Sequence, residues 1–160
     1  MKSESEETKQ VINLLKQGPL LIRKATDGVQ TKQLHVRMDE EPWSINDILI
    51  QLRACSDVWG GTIMKMLTED NPTRRYKSPR SFMKKPKYQD PEFADGLESY
   101  VQERKKLMKV LISHNGISWS RPGTYTGTPP HHRNQTVLSL AQHMVNHEQL
   151  HLDQIETLLK

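Results

Sequence analysis

Along one run of this sequence, Ile45, Ile48, Leu49, Leu52, Ser56, Trp59, Ile63, Met66 and Leu67 recur at spacings of three and four. That period puts them on one stripe of an α-helix and is incompatible with the two-residue repeat of a strand. The run follows Pro42. Ser44 stands where a cap is needed, and Asp47 puts negative charge in the first turn, so the pattern predicts a helix up to about Glu69.

Three other segments share the period. From Glu6 to Thr26 the apolar positions are Val11, Ile12, Leu14, Leu15, Leu21 and Ile22. Gly18-Pro19 within it predicts a kink, because proline removes a backbone donor and crowds the preceding turn. From Pro91 to His114 the stripe is Leu97, Tyr100, Val101, Leu107, Met108, Leu111 and Ile112, with His114-Asn115-Gly116 as the stop signal. The last segment starts at the capping residue Thr136 and runs through Leu140, Met144, Leu150, Ile155 and Leu158.

Sustained apolar-polar alternation is nearly absent. The expectation is therefore an all-α fold: a single four-helix bundle domain over residues 1–160, with a long connection between helices 2 and 3, Asp70 to Asp90. With 34% hydrophobic residues and a mean hydropathy of -0.74, the apolar side chains must be concentrated on those stripes to build a core. Cys55 is the single cysteine, so no internal disulfide forms and a reducing compartment is expected. Met1 to Gln10 lack the apolar core of a signal peptide, and no apolar run reaches about 18 residues. A soluble cytoplasmic protein with no membrane contact is the expectation. The net charge of +4 mildly favours anionic partners without requiring nucleic acid.

The chemistry is concentrated in the last helix. With Leu140 at zero and about 100° per residue, Met144 falls near about 40°, His147 about -20°, His151 about 20° and Leu158 about 0°. Both imidazoles face inward, one turn apart, a spacing at which two neutral rings can grip one zinc, nickel, copper or iron ion. His143, near about -60°, lies on the flank. The same spacing also suits two core histidines that hydrogen-bond to carbonyls or to each other.

His147-Glu148-Gln149-Leu150-His151 also spells the zincin protease signature, with Glu148 as general base. Gln154 and Thr157 occupy positions where a metzincin needs Gly and His, and nine residues after His151 leave no room for a distant carboxylate ligand. Proteolysis is therefore set aside.

Trp43-Ser44-Ile45-Asn46-Asp47-Ile48-Leu49-Ile50-Gln51-Leu52, then Trp119-x-Arg121-Pro122-Gly123, then His147-x-x-x-His151-x-x-Gln154-Ile155 together resemble the DinB/YfiT-like superfamily over nearly the whole chain. The resemblance implies a four-helix bundle, often a homodimer, holding a divalent metal, zinc or nickel foremost, with one His from helix 2 and two from helix 4. The helix-4 ligands match His147 and His151. The helix-2 position, eight residues after Trp43, is Gln51. Its amide oxygen is neutral and harder than imidazole, which lowers affinity for zinc or nickel. Cys55, one turn on, is an alternative third ligand, as are His131 and His132 from the preceding loop.

Relatives include thiol S-transferases, isomerases and proteins described as metal-dependent hydrolases. The resemblance thus implies a metal-dependent transferase or hydrolase acting on a small-molecule or thiol substrate. The alternative is a non-catalytic scaffold that acts by dimerisation or by ligand or nucleic-acid binding, and Gln51 is the feature that supports it.

Between Asn71 and Gln89 stand Arg74, Arg75, Lys77, Arg80, Lys84, Lys85 and Lys87, interleaved with Tyr76, Phe82 and Tyr88 and with no acidic residue. The composition suits a solvated loop first, a cationic cover for an anionic cosubstrate second, and a nucleic-acid surface last.

Overall fold

Ser44 Oγ accepts from the Asp47 backbone N–H, and the Asp47 carboxylate accepts from that of Ser44, each at 3.0 Å. This reciprocal cap satisfies two of the donors that a helix start leaves open. It opens one of four long helices in the computed structural model, which describes residues 4–37, 42–89, 92–113 and 116–160. In chain order these are α1 (Glu4–Thr26), a short α2 (Thr31–His35), α3 (Ile45–Thr68), β1 (Thr73–Arg75), a short α4 (Pro79–Met83), α5 (Phe93–Ser113), β2 (Pro122–Thr126), β3 (Asn134–Thr136) and α6 (Val137–Leu158). The four-helix bundle expected from periodicity is present. The expected stop signal at His114-Asn115 lies outside the described residues.

α6 packs against α1 and α3, and α5 packs against the same two, so α1 and α3 face each other diagonally, as do α5 and α6. The connection after α3 joins helices that pack against each other. The segment that composition suggested was a solvated loop keeps most of its residues exposed and also packs against α3. Tyr88 is buried and donates its hydroxyl to Asp57, and Lys87 pairs with Asp57 at 2.8 Å.

A small sheet, unforeseen from the sequence, closes one end of the bundle. β1 runs parallel to β2 (Thr73↔Thr124), and β2 antiparallel to β3 (Pro122↔Thr136). Its strands are three to five residues long, too short to show alternation. The Trp119-Arg121-Gly123 segment ties the sheet to α3. Trp119 is buried in the core, and Arg121 donates from Nη2 to the Glu69 carbonyl at 2.9 Å, answering an open acceptor at the helix end. A Cβ on Gly123 would lie 2.8 Å from Met66 Cγ, so only glycine lets the strand come this close.

The core has two apolar layers. One gathers Leu15 of α1, Ile63 and Met66 of α3, Met108 and Leu111 of α5, and Leu140 and Met144 of α6. The other gathers Ile22, Leu49 and Leu52, Leu97 and Val101, and Leu152 and Ile155 from the same four helices. On every helix one residue of a polar layer falls between them: Gly18, Ser56, Arg104 and Glu148. Arg104 donates to both Glu148 oxygens, at 3.0 and 2.9 Å, with both side chains 4% exposed. Tyr100 donates its hydroxyl to the same carboxylate.

The Gly18-Pro19 pair belongs to this layer. α1 continues through Pro19, which has no N–H to offer the Leu15 carbonyl four residues earlier. Arg104 Nη1 fills that place, donating to Leu15 O at 2.8 Å. A Cβ on Gly18 would lie 1.6 Å from Glu148 Oε1.

Removing one partner of a buried ion pair leaves the other uncompensated, at a cost of about 3–5 kcal/mol. Arg104→Leu is therefore expected to lower unfolding free energy by about that amount in urea titrations, and Gly18→Ala to destabilise as well. An Arg104→Leu variant as stable as the parent would contradict the pairing.

Candidate metal centre

Thr136 Oγ1 accepts from the Ser139 N–H at 3.0 Å and starts α6, which sets the angle at which every later side chain meets the bundle. Leu140, Met144, Leu152 and Ile155 point into the core. His147 and His151 lie at the edge of that buried face. His151 is 8% exposed, His147 is partly buried and His143 is exposed, as the wheel placed them.

The two rings stand 4.5 Å apart between centroids and 76° from parallel. His151 Nδ1 lies 2.9 Å from Gln154 Oε1. A carbonyl oxygen only accepts, so the proton sits on Nδ1 and the lone pair of the neutral ring falls on Nε2. Trp43 packs against His151 at 6.1 Å, and Trp59 meets the His147 ring edge-on at 5.3 Å.

Electrostatics keep the pair uncharged. Burial, with a smaller contribution from the neighbouring His151, pushes His147 down to about 4. Burial lowers His151 too, against an opposing contribution from Gln154. Neutral imidazole is the form that ligates a metal.

One residue of α3 faces this pair. Cys55 Sγ lies 3.7 Å from His147 Nε2, and burial pushes the thiol up to about 12. Thiol and imidazole therefore meet as neutral groups. Gln51, one turn earlier, holds its Oε1 buried with no hydrogen-bond partner. A buried carbonyl left so costs about 1–3 kcal/mol unless another group meets it, and a cation ligand is one such group.

His131 and His132 do not join this pair. They occupy a tight turn where His132 faces His143 at 6.3 Å. Among the described residues no three His, Cys, Asp or Glu side chains form a group able to hold a metal.

Glu148, the base of the zincin reading, sits in the polar layer with Arg104 on both oxygens. It has no oxygen to spare for activating water. Reading residue spacing missed Arg104 and this layer altogether, although Glu148 falls between Met144 and Leu152 on the wheel, at about 80°.

The fold and the site define a four-helix bundle with a histidine pair on its last helix. The chain matches the DinB superfamily model over residues 14–155 and belongs to that family. Among solved structures it is similar to YfiT from Bacillus subtilis, described as a probable metal-dependent hydrolase with an unusual four-helix bundle topology. The TM-score is 0.82 at 15% identity, covering 99% of this chain and 88% of that one. At that identity the likeness concerns the fold. No curated protein matches the chain by sequence.

Because folded His147 resists protonation down to about 4, the unfolded chain takes the proton first, near about 6.5. Stability of metal-free protein is expected to fall as pH drops through that window. His147→Gln should flatten the dependence in chemical denaturation at several pH values. An equally steep loss in the variant would show that another group is responsible.

Proposed function

We propose that this chain is a metal-dependent enzyme of the hydrolase or thiol-transferase type, with one divalent ion held by His147, His151 and the amide oxygen of Gln51. The observation that carries the reading is the pairing of two neutral, inward imidazoles 4.5 Å apart with a buried carbonyl on α3 that lacks any partner. Zinc and nickel suit the imidazoles, and a neutral oxygen in third place makes the grip weaker than three histidines would.

Such an ion, when bound, lowers the pKa of a water or thiol it holds and makes a nucleophile available near neutral pH. The chain's own residues supply orientation and dryness. Gln154 fixes the tautomer of His151. Trp59 and Cys55 wall His147 from solvent. Glu148 contributes by holding α6 in place through Arg104 and moves no proton.

A second reading, a bundle that binds ligands without metal, is favoured by one observation. No third His, Cys, Asp or Glu side chain completes the group among the described residues.

Elemental analysis of untagged protein purified without chelator separates the two. About one zinc or nickel per chain is expected, lost in His147→Ala/His151→Ala protein that keeps its helical circular dichroism. Metal content unchanged in that double variant would place the ion elsewhere. Gln51→His should tighten zinc binding at least about tenfold in chelator competition, and no change would remove position 51 from the site.

A further inference from the structure

Beside the histidine pair, on the same flank of α6, lies a cleft of about 310 Å³ whose lining includes none of the proposed metal ligands. Trp59 forms its wall toward His147. Tyr76 and Tyr125 pack edge-to-face at 5.5 Å between centroids, and His132, His143, Gln135 and Thr128 also line the cleft. Tyr125 is buried, and its hydroxyl donates to Thr62 Oγ1 at 2.7 Å, so it offers the cleft its ring rather than a polar group.

Three basic residues of the neighbouring segment are engaged elsewhere. Among the described residues no carboxylate, ammonium or guanidinium lines the cleft. Arg74, from the basic segment, turns to α3 and donates to Thr62 Oγ1 at 3.3 Å. Lys87 is engaged by Asp57 and Glu103, and Lys85 lies over the Phe82 ring at 3.7 Å. The segment that composition made a candidate cover for an anion thus contributes an aromatic ring, Tyr76, to the cleft.

Aromatic walls favour a flat ligand through offset or edge-on ring contacts, each worth about 0.5–1.5 kcal/mol beyond burial. An anionic ligand would lose its hydration there without a fixed cation in return. A volume at the low end of ligand sites, about 300–1,000 Å³, limits the ligand to one or two fused rings. We infer that this cleft binds a small, uncharged, planar aromatic molecule, held between Trp59, Tyr76 and Tyr125 with its polar substituent toward His132 or His143. Resting on the metal reading above, the cleft is the seat of the aromatic part of the substrate. Binding itself does not depend on that reading.

Calorimetric titration of chelator-treated full-length protein with 2-naphthol, naphthalene-2-sulfonate and cyclohexylmethanol tests this. Saturable binding of 2-naphthol is expected, at least about tenfold tighter than either analogue. It should be weakened about tenfold in Tyr76→Ala and retained in Tyr76→Phe. Quenching of indole fluorescence that disappears in Trp59→Phe places the probe against that ring even where Tyr76→Ala folds poorly. Sulfonate binding as tight as naphthol, quenching that persists in Trp59→Phe, equal affinity in folded Tyr76→Ala, or no saturation below about 1 mM overturns the inference. Because chelated protein is used, naphthol binding in a protein that never carries metal sinks the metal reading alone. A metal-loaded protein that ignores naphthol sinks this one alone.

Discussion

The buried Arg104–Glu148 pair is the constraint from which much of this molecule follows. A guanidinium and a carboxylate removed from water must satisfy one another fully, and here they do so with both carboxylate oxygens engaged and Tyr100 as a further donor. The pair reaches into α1 as well, where Arg104 supplies the donor that Pro19 withholds from Leu15. Gly18 gives Glu148 the room it needs. The Gly-Pro dipeptide that predicts a kink lies within a continuous α1 and is the docking point of a charge pair. Apolar layers above and below then have only one way to stack.

The same layer positions the histidines. Glu148 stands between His147 and His151 in sequence, so holding its carboxylate on Arg104 fixes the rotation of α6, with His147 against Cys55 of α3 and His151 beside Trp43. Glu148 is wholly buried and structural, while its neighbour His147 sits at the edge of the buried face beside Cys55 and Trp59. One residue, about 100° of rotation, separates the core from the candidate chemistry. Burial that would penalise a charged imidazole keeps both rings in the form a cation requires.

Helix positions were legible in the sequence because their causes are local. The three-and-four spacing of apolar residues marks the stripes, and Ser44 and Thr136 cap helices where capping chemistry says they should. The inward direction of His147 and His151 followed from the same period. The Arg104–Glu148 pair did not, because it joins residues 44 positions apart; the helical period places each on an apolar stripe but does not say that they meet. The sheet escaped for a related reason: its pairing of Thr73 with Thr124 is set by tertiary contact. Gln51 was visible as a departure from the expected ligand, but only the structure adds that its carbonyl is buried without a partner.

Whether those three side chains share an ion is the question on which the functional account stands. A crystal of untagged protein, measured on both sides of the zinc and nickel absorption edges, answers it most directly. The account expects an anomalous peak about 2.0–2.1 Å from a ring nitrogen of both His147 and His151, with the Gln51 amide oxygen turned toward it. An occupied site formed by other residues, or rings hydrogen-bonded only to protein and water with no anomalous signal, would contradict it.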